Sequence, residues 1–196
     1  TRDYPLLFDR KFTFEVAELA AMTMELLSMD HWHLFFSNEA DLRRAKITQL
    51  EHVLKVLPWI ATIDQFQHWL YTHPNHTQEE RRAKWTESFH AFTPGVLDYS
   101  SLEQYIENLW HKQLHLFEVP FYYIEYGFAQ LGAIALWRQY REKPEQAVAA
   151  FTRAMRLGNT RSIREIYAEA GIRFDFSQEY VRDLGTFVRE EMEKLK

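Results

Sequence analysis

The stretch FTFEVAELAAMTMELL at residues 12–27 guides the interpretation of the whole chain. One helical face of this stretch carries three glutamates and a methionine at steps of three, four and three residues: Glu15, Glu18, Met22 and Glu25. We call these four positions the acidic series. Apolar side chains elsewhere on the helix predict that most of it is buried. A buried carboxylate must be paired, hydrogen-bonded or bound to a metal. The residue pattern alone leaves two interpretations open: the glutamates are solvated or paired with basic side chains, or one of them binds a metal.

Composition limits the class of protein. A chain of 196 residues with 46% hydrophobic residues is long enough for one domain, and we expect residues 1–196 to form a single helical domain. The formal net charge of −5 disfavours nucleic acid as a partner. With no cysteines, disulfides, thiolate metal sites and a cysteine nucleophile are excluded, which fits a cytoplasmic protein.

Residues 119–137 are the one candidate for a membrane span. They are long enough, but they contain Pro120, Glu125, Gln130 and three tyrosines. Such a composition suits a buried helix of a soluble protein better than a helix in lipid, so we expect no membrane partner.

Turn and capping signals divide the remainder into helices and predict an all-α fold. We expect Pro58 to interrupt one helix and Ser100 with Glu103 to form a capping box. The other expected signals are caps at Ser37 and Asn38, a capping box at Thr77 and Glu80, helix starts at Pro144, Thr160 and Ser177, and a helix end at Gly158. The expected segments are an acid-bearing helix at 12–30, a helical scaffold at 39–117, a His/Tyr segment at 115–137 and C-terminal helices at 144–196.

Two pairs of histidines have spacings that occur in metal sites. His31 and His33 are two residues apart, and we interpret them as structural. His111 and His115 are four residues apart and would share a helical face, as zinc-binding pairs do. No acid is placed between them to act as a base, so we do not expect them to form the primary zinc site.

The string EVAELAAMTMELL at 15–27 resembles the helix that supplies the third zinc ligand in oligoendopeptidase F and its thimet-oligopeptidase-like relatives. In that family a second glutamate follows the ligand by seven residues, as Glu25 follows Glu18. The resemblance implies that Glu18 binds zinc. It also implies that Glu25 accepts a hydrogen bond from a ligating imidazole and fixes its orientation.

Two further strings carry the same resemblance, PFYYIEYG at 120–127 and LGNTRSIREIYAEAGIRFDFS at 157–177. In the family, a histidine just before the first string and tyrosines within it line the cleft opposite the zinc. The resemblance therefore implies that His115, Tyr122 and Tyr126, with Tyr123 as a neighbour, donate hydrogen bonds to the carbonyl oxygen that becomes negative during peptide hydrolysis.

The family's zinc-binding HExxH motif is absent from the 196 residues. We therefore expect the chain to be the C-terminal part of a longer zinc metalloendopeptidase that cleaves oligopeptides, inactive alone, with the missing N-terminal part as its partner. The alternative is a non-catalytic helical module that binds peptides or other proteins.

Overall fold

The computed structural model describes residues 1–95 and 97–196, and all regular secondary structure in these ranges is helical. The α-helices, in chain order, are α1 (Leu7–Arg10), α2 (Phe14–Ser28), α3 (Glu39–Thr72), α4 (Gln78–Phe92), α5 (Glu103–Ile106), α6 (His115–Glu118), α7 (Tyr123–Glu142), α8 (Pro144–Arg156), α9 (Ile163–Glu169) and α10 (Gln178–Glu193). Short 3-10 helices occupy Met29–Leu34 and Leu109–Lys112. The prediction of an all-α fold is confirmed. Within the described residues, no helix combines the length and apolarity needed to cross a membrane.

The chain divides into two compact units. Unit 1 comprises Thr1–Leu54 and Phe128–Lys196, and unit 2 comprises Lys55–Gly127. Helices α3 and α7 each contribute residues to both units. That residues 1–196 act as one domain stays a prediction, and each unit is described by itself.

In unit 1, α2 buries one stripe of its surface. The buried side chains are Val16, Leu19, Thr23, Leu26 and Leu27. Each member of the acidic series lies one residue before a buried position, about 100° around the helix, so it flanks the buried stripe. The prediction that α2 is mostly buried was wrong, because Phe14 and Met24 point away from this stripe and are 63% and 55% exposed.

The part of α7 in unit 1 packs closely against α2 and α9. Gly132 lies where a Cβ atom would be 2.7 Å from Leu19 Cδ1 and 2.9 Å from Tyr167 Cε1. The Tyr167 hydroxyl donates a hydrogen bond of 3.0 Å to the Phe128 carbonyl. Burial, followed by the nearby Glu15 carboxylate, raises the pKa of Tyr167 well above its ordinary value. The absence of a side chain at position 132 is therefore what allows these helices to approach.

The C-terminal helices begin and end largely where their sequence signals predict. Pro144 opens α8, Gly158 has the positive φ of a helix end, and the Ser177 hydroxyl accepts from the Tyr180 N–H at the start of α10. The predicted cap at Thr160 was wrong. Ser162 caps α9 through a complete capping box, because it stands three residues before a glutamate that can return the hydrogen bond.

Helix α3 contains Pro58 and continues through it, so the predicted interruption was wrong. A proline inside a helix removes one backbone hydrogen bond and costs about 3 kcal/mol. Within unit 2, Ile60 and Ile63 follow the proline and are buried, and Ile63 belongs to a hydrophobic core. Packing therefore outweighs the local cost of the proline.

In unit 2, α4 starts with the predicted capping box. The Thr77 N–H donates 2.7 Å to Glu80 Oε2, and the Glu80 N–H donates 3.2 Å to the Thr77 hydroxyl. Trp85 and Phe89 of this helix are buried. They belong to an aromatic-rich core made of Ile63, Phe66, Trp85, Phe89, Ile106 and Trp110.

The segment after α4 is less regular than predicted. The short helix α5 has Leu102 at its N-cap and no side-chain cap, so the expected box at Ser100 does not form. Instead the Ser100 N–H donates to Asp98, and the Ser101 N–H donates to Glu103. An Asx-type turn has replaced the helix start, which shortens the helix to one turn.

Candidate functional site

A strained turn positions the start of α7. Phe121 has φ of 60°, the left-handed region that non-glycine residues rarely adopt. Its backbone N–H donates 2.9 Å to Oε1 of Gln67, a side chain that is 1% exposed. Its ring lies 5.0 Å from the His68 ring and 4.9 Å from the Tyr71 ring, centroid to centroid. These contacts from α3 hold the turn, and the turn directs the following tyrosines.

The structure brings His115, Tyr122, Tyr123 and Tyr126 together in unit 2, and we call these four residues the His–Tyr cluster. The ring centroids of the tyrosines lie 5.9, 5.0 and 5.7 Å, in chain order, from the centroid of His115. The His115 Nε2 atom is 3.2 Å from the Tyr126 hydroxyl, within hydrogen-bonding distance. All four side chains are half-buried. One imidazole and three phenol rings are thus packed together, and each of these residue types can donate a hydrogen bond.

Behind the cluster, Gln113 connects it to α3. The Trp59 indole N–H donates 3.2 Å to Gln113 Oε1, and Gln113 Nε2 lies 2.8 Å from His115 Nδ1. Neither residue was assigned to the site from the sequence. A glutamine two residues before His115 in a largely apolar segment was a weak local signal, but nothing local connects it to Trp59, 54 residues earlier.

Tyr123 of the His–Tyr cluster has a hydroxyl with a shifted pKa. Burial raises the pKa of its hydroxyl above 10.0, while hydrogen bonding with Trp59 and Gln113 acts in the opposite direction. The hydroxyl therefore keeps its proton at neutral pH and is able to donate a hydrogen bond.

The acidic series belongs to unit 1. Glu18 is half-buried beside the buried stripe of α2 and has interacting neighbours. Glu25 is exposed, and its Oε2 atom accepts a hydrogen bond of 3.4 Å from Gln49 Nε2. A half-buried carboxylate of this kind is an acceptable oxygen ligand for zinc. The roles of Glu18 and Glu25 stay predictions.

Among residues 1–95 and 97–196, no group of three or more His, Asp and Glu side chains is arranged to hold a metal. His31 and His33 lie on the 3-10 helix Met29–Leu34, where His33 Nδ1 is 3.0 Å from the Asp30 carbonyl. His111 and His115 do not share a helix. His111 lies within the 3-10 helix Leu109–Lys112 and packs on Trp110, with ring centroids 3.9 Å apart, and α6 starts only at His115. The expectation that these two histidines share a helical face was wrong, because no continuous helix connects them.

The all-α fold brings together a histidine at the start of α6 and tyrosines at and just before the start of α7. The model of peptidase family M3 matches residues 1–186, and the chain therefore belongs to peptidase family M3. The resemblance found in the sequence is confirmed.

Solved structures agree with this assignment. The chain is 27% identical to a protein provisionally assigned as an oligoendopeptidase F, with a TM-score of 0.85 over 98% of this chain and 34% of that one. It is also 27% identical to PZ peptidase A, solved with an inhibitor, with a TM-score of 0.83 over 97% of this chain and 34% of that one. A protein from Bacillus anthracis str. Ames, provisionally assigned as an oligoendopeptidase F, shares the fold at 24% identity, with a TM-score of 0.75 over 98% of this chain and 31% of that one. The chain thus spans about a third of the length of these proteins. A comparison with curated proteins finds no significant match.

Proposed function

We propose that this chain supplies the third zinc ligand and the oxyanion-stabilising donors of a zinc metalloendopeptidase that hydrolyses oligopeptides. The observation that carries the proposal is the convergence of His115 and three tyrosines, in a member of peptidase family M3. In the proposal, Glu18 is the ligand and Glu25 orients a ligating imidazole. The other two ligands are the HExxH histidines of the intact peptidase.

The His–Tyr cluster suits peptide hydrolysis because its polar hydrogens can stabilise negative charge. When bound, zinc supplies a Lewis acid that polarises the peptide carbonyl. As that carbonyl oxygen becomes negative, the hydroxyl groups of Tyr122 and Tyr126 donate hydrogen bonds to it. Burial raises the pKa of Tyr123, so its hydroxyl keeps its proton and this side chain is an uncharged neighbour of His115. Each lost oxyanion donor typically costs about 100- to 1,000-fold in kcat.

In the same proposal the substrates are short peptides, the protein is cytoplasmic, and the 196 residues alone are inactive. The neighbour solved with an inhibitor is itself a peptidase by name, which supports a peptide-binding cleft in the intact protein. The chain provides one carboxylate ligand, and one carboxylate does not hold zinc well by itself. Activity therefore depends on the remainder of the protein.

The test uses the intact protein and compares Glu18→Ala with Glu15→Ala. Both glutamates are half-buried on the same face of α2, so they are a matched pair. We expect about one zinc per molecule and hydrolysis of a quenched fluorescent peptide. Glu18→Ala should lose both, whereas Glu15→Ala should keep the zinc.

Retention of zinc and full activity in Glu18→Ala would refute the ligand role. An intact protein that binds peptides but neither holds zinc nor cleaves them would instead favour the alternative of a non-catalytic binding module. Metal content by mass spectrometry and the rate of peptide cleavage are sufficient to separate these outcomes.

A further inference from the structure

Gln113 is a buried polar side chain held between two ring nitrogens. It is 8% exposed, each end of its amide faces a ring nitrogen, and Tyr123 is a further hydrogen-bond partner. Its Oε1 atom is 3.2 Å from Trp59 Nε1, and its Nε2 atom is 2.8 Å from His115 Nδ1. A buried amide with both ends engaged has little freedom to rotate.

The orientation of the amide follows from the chemistry of tryptophan. An indole nitrogen only donates, so the atom of Gln113 that faces Trp59 must be the carbonyl oxygen. The other end of the amide is then the NH₂ group, and it faces His115. Because an NH₂ group donates, His115 Nδ1 must accept and can carry no proton in this arrangement.

We infer that Gln113, held by Trp59, is a positioning residue that fixes His115 as the tautomer with its proton on Nε2. His115 Nε2 then donates its hydrogen to the Tyr126 hydroxyl oxygen, 3.2 Å away. In this arrangement His115 acts on the substrate oxygen through Tyr126, in place of the direct donor role that the family resemblance implies. The four side chains form a chain of hydrogen bonds in which every donor points the same way, from Trp59 through Gln113 and His115 to Tyr126.

The anchor of this chain is itself fixed by packing. Lys112 Nζ lies 4.4 Å from the centroid of the Trp59 ring, and the Trp85 ring meets Trp59 edge to face with centroids 5.8 Å apart. The indole N–H therefore has a defined direction before any ligand binds.

The consequence for catalysis rests on the proposed function. A Tyr126 hydroxyl that accepts from His115 keeps its own proton for donation, and in the proposed mechanism the acceptor of that proton in the peptide complex is the substrate oxygen. The opposite tautomer of His115 would accept from Tyr126 and turn that proton away from the substrate. Gln113 and Trp59 thus determine which direction the Tyr126 proton takes, without touching substrate.

The test reads the tautomer directly. The intact protein is labelled with ¹⁵N-histidine, and the His115 signals are assigned from their loss in His115→Gln. We expect a protonated Nε2 and an unprotonated Nδ1. In Gln113→Glu, which has nearly the same shape, the carboxylate accepts from both neighbours, and Nδ1 should become protonated. A protonated Nδ1 in the parent protein, or an unchanged tautomer in Gln113→Glu, would overturn the inference.

Two further variants separate positioning from general disturbance. Gln67→Glu is the matched control, because Gln67 is also a buried glutamine of unit 2 that accepts one hydrogen bond, and its substitution should leave the tautomer of His115 unchanged. Trp59→Phe removes the donor that orients the amide while the glutamine stays in place. Both His115 tautomers should then be populated, and an unchanged single tautomer would overturn the anchoring role of Trp59.

Kinetics with a quenched peptide give the functional readout. Gln113→Glu should lower kcat about 100-fold, with KM changed less than about twofold, since an interaction made only in the transition state is lost. If the intact protein proves not to hydrolyse peptides, the proposed function fails while the NMR result still decides the tautomer. If the tautomer changes but kcat does not, the positioning role is refuted and the proposed function stands.

Discussion

Substitution of Gly132 by alanine tests the helix contact that positions α2. The added methyl group would meet Leu19 Cδ1 at 2.7 Å and Tyr167 Cε1 at 2.9 Å, closer than carbon atoms normally approach. Leu19 is fully buried, and Tyr167 is 1% exposed and tied by its hydroxyl to the Phe128 carbonyl. Neither neighbour can move aside without disturbing the core.

Two opposing effects set the magnitude. Overpacking of a well-filled core costs about 1–3 kcal/mol. Alanine is also a better helix former than glycine by about 0.5–1 kcal/mol. Gly132→Ala should therefore lose between about 0 and 2.5 kcal/mol of stability. A Cβ atom added at Gly185 in α10 would meet no heavy atom of the described residues within 4 Å, so Gly185→Ala should gain about 0.5–1 kcal/mol.

The assay is urea unfolding of the parent and both variants, followed by far-UV circular dichroism. The helix-propensity gain is common to both variants, so the difference between them, about 1–3 kcal/mol, isolates the steric overlap. Equal stability of Gly132→Ala and Gly185→Ala would refute the reasoning. Because Leu19 is adjacent to Glu18, we also expect Gly132→Ala to weaken zinc binding by the intact protein.

Three further predictions concern the site and two helix starts. In the intact protein, Tyr126→Phe should lower kcat about 100- to 1,000-fold, while Tyr105→Phe, at an exposed tyrosine outside the cluster, should not; peptide-cleavage kinetics check both. Thr77→Ala should cost about 1 kcal/mol in urea unfolding because the capping box is lost, whereas Ser100→Ala should change stability by less than about 0.5 kcal/mol. Hydrogen bonds from its N-cap serine lower the pKa of Glu165 below 4.5, so its contribution to stability is present above pH 4.5 and lost as the pH falls through the lowered value. Glu165→Gln keeps the acceptor, and its stability should fall less between pH 7 and about pH 3 than that of the parent.

Local signals in the sequence predicted the helix boundaries best where a side chain closes a hydrogen bond within a few residues. The capping box of Thr77 and the cap at Ser177 are of this kind, and both are confirmed. Pro58 shows the limit, because its local cost is visible in the sequence while the packing that outweighs it comes from residues distant in sequence. Ser100 matched the capping pattern, but the neighbouring Asp98 offers the backbone a competing turn.

In the candidate site, too, residues that are close in sequence were predicted, and residues that meet only in the folded chain were not. His115 and the tyrosines lie within a dozen residues of one another, and the resemblance of the string PFYYIEYG to the family grouped them. Gln113 and Trp59 come together only in the folded chain, because α3 and the segment before α6 pack side by side in unit 2. The roles of Glu18 and Glu25 rest on the family resemblance, and the zinc measurement on the intact protein decides them.

The proline of α3 has a consequence for native-state hydrogen exchange. Pro58 has no amide proton, so the carbonyl of Leu54 receives no hydrogen bond from residue 58, and the ladder of a 34-residue helix is one bond short at this turn. Opening on either side therefore need not propagate past the turn, since the hydrogen-bond ladder is weaker there. Amide protons before and after Pro58 are expected to exchange as two separate groups, each with its own free energy of opening. Both groups nevertheless belong to the same helix, α3.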